Sequence, residues 1–463
     1  MLLTVRPGIT FEFSQTSFVA SNGAVSLNLS FLDERARYAI ANLHKTVVLE
    51  RAFFENLDLT PALQMRTQYA LDLLIRKGFI ARSAGDESTI LCSLVSRSQL
   101  FNYVENPPGC SDKWVVSRFA LCRNDAGEAV IESPVAFAVL REVDSSVAAL
   151  FCKLCEPRRF NEAVSLAGIA AVHSQDLWEI FVNGGVVVAA NEVQDSTRKR
   201  FWEFHDLYFH SSTRRGRHDR PIGAAFPHAL KEEALPLLKP ACSNNVVALP
   251  EPLLRPNCSF FEVQDSRRSI RQYNSNPITI QQLSSFLFEV ARLRRVNTQT
   301  VSNRGVSRIL ETTERAFPSG GGLHELELYI AVARCDGLPN GLYRYNGQAH
   351  TLEIVDITTN LCDLFVSAGN DAGIAQSEMQ ILIVVTARIG RVAWKYSSIS
   401  YALVLKNLGA LFTTMYLNAT ALHLSPCAIG CGDSDVFAQI SGCDFYLEPA
   451  VGEFLLGSRL QAN

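Results

Sequence analysis

The most apolar long segment of the chain, Ile399 to Leu424, restricts everything built around it. A run of that length either crosses a bilayer or forms the central helix of a globular domain. This one carries Lys406, Asn407, Asn418 and the adjacent Thr413 and Thr414. Such groups are costly in hydrocarbon and find partners inside protein. The segment reads as a buried helix, and no membrane span or membrane partner is expected. At the other end, "MLLTVRPGITFEF" places Arg6 after its apolar residues, and Pro7 and Gly8 interrupt the run before a signal-peptide core forms. The expected location is the cytoplasm.

With 463 residues, 48% apolar and 19% charged, there is material for two or three domains with their own cores. The 43 basic and 46 acidic side chains leave a formal charge of -3, which gives no overall field for nucleic acid. Twelve cysteines scattered through a large chain fit free thiols in a reducing compartment. Cys152 and Cys155 form a C-x-x-C with no second pair at zinc spacing, so the pair reads as a coincidence inside a helix, and no metal is expected.

A weak internal repeat appears when Leu73-Leu-Ile-Arg-Lys-Gly-Phe-Ile80 is set over Ile180-Phe-Val-Asn-Gly-Gly-Val-Val187. Each is a helix end stopped by glycine and followed by an apolar strand. Upstream, the alternation in Val25-Ser-Leu-Asn-Leu29 and in Val135-Ala-Phe-Ala-Val139 predicts strands, each followed by short helices. This pattern predicts a winged-helix module present twice, over residues 1–90 and 91–195. Residues 1–90 hold nine basic and nine acidic side chains, and the candidate recognition helix, Arg66 to Lys77, includes Asp72. That face does not track phosphates. A peptide added as a strand along an exposed edge is the expected partner instead.

Residues 196–260 read as a connector packed over its neighbour, with Trp202, Phe204 and Phe209 as anchors. Its histidines His205, His210 and His218 sit at no zinc spacing and read as solvated or hydrogen-bonded. Pro250, Pro252 and Pro256 favour extended chain. From 261 to 463 the pattern is that of one α+β domain. Thr279-Ile-Gln-Gln282 is a capping box opening a helix to about Arg295. Strands are expected at Leu326 to Ala333, Gly341 to Tyr345 and Ile381 to Thr386, and near Phe445 to Phe454.

Four stretches of this domain could carry chemistry. Arg267-Arg-Ser-Ile-Arg271 follows Asp265 and Ser266, both N-cap residues, so it is expected at a helix start. There, arginine forks and a hydroxyl suit a terminal phosphate. A solvated surface is the alternative. Phe317-Pro-Ser-Gly-Gly-Gly-Leu-His324 would let backbone approach a planar ligand, or is simply a flexible loop. Pro426-Cys-Ala-Ile-Gly-Cys-Gly-Asp433 offers N–H groups among small residues, or is a turn with incidental cysteines. In Arg391-Val-Ala-Trp-Lys-Tyr-Ser-Ser398, Lys395 and Tyr396 are either packing residues or a proton-transfer pair. Ser397 and Ser398 are expected to cap the following helix, and Trp394 to pack.

In this order and spacing the stretches resemble the nitroreductase-like flavoenzymes. Within them, "RxxWKYS" is similar to the Lys-Tyr element of the thiazoline dehydrogenases of azole-forming peptide pathways, the SagB/McbC type, and most of all to the cyanobactin-pathway thiazoline oxidases. The resemblance runs over roughly residues 200–457. It implies FMN as cofactor, with Arg267 and Ser269 on its phosphate, Arg268 assisting, and Arg271 near the pyrimidine edge. It further implies Pro318, Ser319, Gly320 and Gly321 along the isoalloxazine, and Ala428 and Ile429 leading to the N–H of Gly430 or Cys431 at N5. Arg459 is the one basic candidate for a C-terminal phosphate ligand, and Thr413-Thr414 stands where relatives carry Gln-Asn. Lys395 and Tyr396 would supply a base and its support. The implied reaction oxidises thiazolines, or oxazolines, of a heterocyclised precursor peptide, with oxygen reoxidising the flavin. A homodimer with the apolar helix at its core is implied too. Two other readings stay open: an NAD(P)H-dependent nitroreductase or quinone reductase, and a non-enzymatic winged-helix regulator.

Overall fold

Asp33 and Asp144 each close the first turn of a helix, accepting from the N–H of Ala36 and of Ser146. They hold equivalent places in an element order that runs twice. In this computed structural model, which describes all residues except 15, 23–24, 56, 58, 110–111, 192–197, 254–255, 304, 357–360 and 461–463, the chain forms two compact units, Met1–Arg220 and Pro221–Asn463.

The first pass comprises β1 (Leu2–Val5), a meander β2 (Thr10–Phe13), β3 (Phe18–Ser21), β4 (Ser26–Asn28), then α1 (Glu34–Asn42), β5 (Val48–Leu49), α2 (Glu50–Glu55), α3 (Pro61–Arg76), β6 (Ile80–Gly85) and β7 (Ile90–Ser96). The second comprises β8 (Lys113–Val116), a meander β9 (Leu121–Asp125), β10 (Glu128–Glu132), β11 (Ala138–Arg141), then α4 (Ser145–Lys153), β12 (Arg158–Arg159), α5 (Phe160–Leu166), α6 (Ser174–Asn183) and β13 (Val187–Ala189). Sheet order repeats as well: β5-β1-β6 in one, β12-β8-β13 in the other. The glycines that suggested the repeat do the same work in both. Gly78 and Gly185 sit at φ 68° and 61°, and the next residues, Phe79 and Val186, bond back to Leu74 and Phe181 at 2.9 Å. Only glycine takes that left-handed turn without strain.

Three expectations for this unit need correction. Residues 135–137 form a turn, and the strand starts at Ala138 because Val139 and Leu140 take the buried register positions opposite Val95 and Leu94. Trp202, Phe204 and Phe209 are not buried anchors: all three are more than one-third exposed, Trp202 against the His210 ring and Phe204 stacked on Tyr208. The helix they belong to or precede, α7 (Phe204–Ser212), is tied down by the Tyr208 hydroxyl donating to Glu132 at 3.0 Å. The proposed connector is divided, its first part lying in this unit and residues 221–260 in the other; 192–197 lie outside the described residues.

The second unit contains β14 (Val246–Ala248), α8 (Phe260–Ser266), α9 (Ile280–Ala291), β15 (Arg295–Asn303), β16 (Val306–Glu314), β17 (Leu326–Val332), β18 (Gly341–Asn346), β19 (Thr351–Asp356), α10 (Cys362–Ala372), β20 (Ile381–Ala387), α11 (Ile389–Lys395), α12 (Ser400–Ala421), β21 (Leu424–Ile429), α13 (Ser434–Ser441) and β22 (Ala450–Ser458). Seven strands form one antiparallel sheet in the order β14-β19-β18-β17-β20-β22-β21. Strand β20 shows why its sequence is apolar throughout. Ile381, Ile383 and Val385 join the core under α9 and α12, while Leu382 and Val384 join the core under α10 and α13. Period-two alternation then selects a layer rather than inside from outside.

Helix α9 begins on its capping box, Thr279 with Gln282, as expected. It stops at Ala291 because Arg295 already pairs with Glu314 in the β15–β16 ribbon. The last strand starts at Ala450 rather than near Phe445. Among the described residues no helix is long and apolar enough to cross a membrane, and no cluster of three or more His, Cys, Asp or Glu could hold a metal.

Candidate active site

The glycine loop and the Lys-Tyr pair meet in space. Gly320–Gly322 form a short helical turn in which Gly321 takes φ 65° and ψ 19°. A Cβ on Gly321 would stand 2.6 Å from Lys395 Nζ and 2.6 Å from the Tyr396 hydroxyl. A side chain there would be strained by the backbone conformation and would push both groups aside. Lys395 ends α11 and Tyr396, at φ -108° and ψ 135°, is its extended cap. That switch from helical to extended backbone turns two adjacent side chains toward one point, which a continuous helix would not do. The ammonium lies 5.4 Å from the centre of the Tyr396 ring.

The strap is held from behind. Backbone bonds from Phe226 N–H to Lys395 O (2.9 Å) and from Ser397 N–H to Gly223 O (2.9 Å) fix its path. Buried Arg391 donates to the carbonyls of Leu323 (2.9 Å), Leu235 (2.6 Å) and Glu311 (2.9 Å), tying α11 to the end of the glycine loop. Trp394 is buried with its indole N–H on Glu232 O at 2.9 Å, a packing residue as expected. Ser397 and Ser398 do not cap α12. Its N-cap position is Ile399, Ser398 lies at φ 62° with its hydroxyl on Pro221 O, and the Ser400 hydroxyl reaches back to Tyr396 O.

Burial acts oppositely on the two candidate acid–base groups. It lowers the pKa of Lys395 and raises that of Tyr396, because each neutral form is favoured away from water. The lysine is thus the group eased toward a free amine, and the phenol keeps its proton. His324, next to the loop, is no rival: burial, then the nearby guanidiniums of Arg315 and Arg391, push it down to about 3.

A second cluster lies farther along α12. Arg267 lies over the Tyr416 ring at 5.3 Å, and the Tyr416 hydroxyl lies 2.8 Å from both Ser269 Oγ and the Ala428 N–H. Ile270 N–H donates to Pro426 O at 2.8 Å, so the arginine segment runs beside the edge strand β21. Arg267, Arg268, Ser269 and Arg271 are exposed, and Arg268 folds back onto the carbonyls of Asp265 and Arg267. The expected helix start is wrong. Ser259 and Glu262 form the capping box, α8 runs from Phe260, and Arg267 closes its C-terminal end. Guanidinium and hydroxyl groups, with no helix dipole, are what this cluster offers an anion. Residues 424–429 are strand rather than loop, leaving Gly430 and Cys431 exposed where β21 ends. Arg459 is exposed just past β22, whose Ser458 carbonyl accepts from Asn274 N–H. Thr413 and Thr414 bond to the helix carbonyls of Gly409 and Ala410.

Helix α12 links the two clusters. Its Asn407 accepts from Gly320 N–H (3.1 Å) and donates to Glu325 (2.8 Å), which in turn accepts from Ser319 (3.2 Å). Asn407 and Tyr416 lie nine residues apart, about 13 Å along a helix. Sequence reading missed both as site residues. Asn407 registered only as a polar break in an apolar run, and nothing local marks Tyr416. Glu453, also unforeseen, packs against Gly432 and lines a cleft of about 490 Å³ together with Tyr401, Leu405, Phe412 and Gly430. Burial, then Asp371 and Asp433, push its carboxyl up to about 7.

Residues 265–452 match the family model described as the nitroreductase family, and residues 114–219 match that of the cyanobactin oxidase ThcOx. A protein of Methanocaldococcus jannaschii ascribed to the nitroreductases is 29% identical over 173 residues, 36% of this chain and 77% of its own length. Among solved structures, one ascribed to the nitroreductases from Ralstonia eutropha JMP134 is 20% identical with a TM-score of 0.37, covering 50% of this chain and 99% of that one. The E. coli microcin synthetase McbBCD complex with truncated pro-MccB17 is 17% identical with a TM-score of 0.35, covering 52% of this chain and 89% of that one. The C-terminal unit has a nitroreductase-like fold. With that domain and a ThcOx-matching segment in one polypeptide, the chain is an oxidoreductase similar to the nitroreductase-like thiazoline oxidases.

Proposed function

We propose that the protein is an FMN-dependent oxidase that converts thiazolines of a heterocyclised precursor peptide to thiazoles. The observation that carries this reading is the placing of Lys395 Nζ and the Tyr396 hydroxyl against the bare backbone of Gly321. An amine and a phenol brought to one point beside a loop without side chains suit a ring that must lose a proton.

The residues present fit a flavin nucleotide. Arg267 and Ser269 are exposed at the end suited to the phosphate, with Arg268 and Arg271 adding charge. Pro318 to Gly321 supply the ring floor, and Ala428 to Cys431 supply backbone at the strand end, where nothing lies within 4 Å of a Cβ placed on Gly430. Arg459 would lend charge from the end of β22. Held by these residues, a flavin would supply the acceptor for the hydride that leaves the azoline ring, with oxygen as the final oxidant.

Lys395, eased toward its neutral form by burial, takes the ring proton, while protonated Tyr396 donates a hydrogen bond that orients the ring. Asn407 and Arg391 hold the glycine floor and α11 in register, so that both groups stay aimed. Tyr401 and Leu405 leave an apolar face of α12 exposed, which supports a homodimer through this helix. The N-terminal repeat supports two winged-helix modules that recognise peptide, in a protein working in the cytoplasm.

The test is incubation of the flavin-loaded protein with a thiazoline-containing peptide in air. A mass loss of two hydrogen atoms per ring is expected. A flavin that NAD(P)H reduces and the peptide does not would assign the site to a nitroreductase or quinone reductase instead.

A further inference from the structure

Both N-terminal modules place a three-stranded meander ahead of three helices, yet among the described residues the meander strand that leads into the helices has a free edge in only one of them. In the second module the outer strand β11 is taken. It pairs antiparallel with β7 of the first module, Ala138 opposite Ser96 and Leu140 opposite Leu94. Strand β6, next to β7, packs on α6. The first module's own hairpin therefore fills the groove between β11 and α6.

The counterpart strand, β4, pairs only with β3 among the described residues. Its register puts Leu27 opposite Ala20, and flanking bonds run from Leu29 N–H to Phe18 O (2.8 Å) and from Asn22 N–H to Val25 O (3.1 Å). Antiparallel ladders alternate strictly, so Leu27 bonds inward and the N–H and C=O of Ser26 and Asn28 point outward. An edge of this kind is a template for another extended chain. Beside it, Phe31 meets Tyr69 of α3 at 5.9 Å, both exposed, and Met65, one turn away, is 75% exposed. Exposed apolar side chains thus lie near the unpaired backbone.

We infer that the first module alone receives the precursor peptide, an extended segment adding antiparallel to β4 with alternate apolar side chains on Phe31, Met65 and Tyr69. The corresponding edge of the second module, β11, is closed, because β7 already sits where a peptide strand would go. The strand docked on β11 shows that this edge, in this architecture, accepts an extended segment. The inference rests on the peptide-modifying reading above and narrows it to one of two sites.

The test uses the full-length protein and a fluorescein-labelled, leader-bearing azoline precursor peptide, read by anisotropy. Asn28→Pro removes an outward N–H and leaves the β3–β4 ladder intact, a position where an edge strand tolerates proline. Tyr69→Asp places a charge among those apolar side chains. Val172→Asp, at an 80% exposed position of the second module, is the control. The first two should each weaken binding about tenfold or more, with Val172→Asp unchanged and oxidation of a leaderless azoline peptide as in the parent. Weakened binding in Val172→Asp alone overturns the choice of module. Altered self-association on sedimentation in Asn28→Pro, with peptide affinity intact, makes the edge a contact between copies and overturns it too. If the parent protein binds no leader-bearing peptide, the peptide reading itself fails.

Discussion

Replacing Gly321 by alanine separates chemistry from stability at the candidate active site. Alanine at φ 65° carries a left-handed strain of about 1–2 kcal/mol. Its Cβ, at 2.6 Å from both Lys395 Nζ and the Tyr396 hydroxyl, is about 0.8 Å inside ordinary van der Waals contact. Both groups must retreat by roughly that distance. A shift approaching 1 Å in aimed groups costs on the order of 100-fold in rate. Gly322→Ala is the matched control: φ is 69°, so strain is similar, but its Cβ meets the Thr312 side chain at 3.3 Å and touches neither Lys395 nor Tyr396. Urea midpoints should fall alike in the two variants, while single-turnover oxidation, followed by peptide mass, should collapse only in Gly321→Ala. Equal turnover in both variants, or a loss that merely follows stability, would refute the proposed placing of the base and phenol.

Lys395→Ala and Tyr396→Phe should keep bound flavin yet lose oxidation by on the order of 100-fold or more. Since burial lowers the Lys395 pKa, the neutral amine grows as pH rises; the parent rate should climb and level off below the ordinary lysine range, and Lys395→Ala should lose that climb. Glu453, raised to about 7, stabilises the fold while protonated; stability is full below the ordinary glutamate range, declines up to about pH 7, and by linkage loses up to about 3 kcal/mol. Glu453→Gln should erase that decline, which denaturation midpoints at about pH 5 and about pH 8.5 will show. Tyr416→Phe removes the hydroxyl shared by Ser269 and Ala428, so a loss of about 1–2 kcal/mol and weaker flavin retention on desalting are expected.

Legibility followed the range of the interaction. The Thr279 capping box, the glycines after α3 and α6 and the long helix α12 were readable because each depends on neighbours a few residues away. The Arg267 segment misled for the same reason: Asp265 and Ser266 are good caps in isolation, but Ser259 and Glu262 had already opened the helix. Ser397 and Ser398 failed alike, since the Ser397 backbone pairs with Gly223 and the Ser398 hydroxyl donates to Pro221 O, both far away in the chain. Asn407 and Tyr416 carry no local signal at all, because their partners at Gly320, Ser269 and Ala428 come together only when α12 packs.

The sequence by itself determined which residues are available: a glycine floor, a lysine beside a tyrosine, three arginines near a serine, and a repeat marked by paired glycines. Those features depend on side-chain chemistry and on turns that glycine alone permits. Tertiary structure decided which of them act together. The end of α11 turns Lys395 and Tyr396 onto Gly321, and burial, which no local window contains, eases the lysine and holds the phenol protonated. The same holds for the repeat: two modules alike in sequence pattern differ in pairing, because β7 pairs with β11 while β4 pairs only with β3 among the described residues.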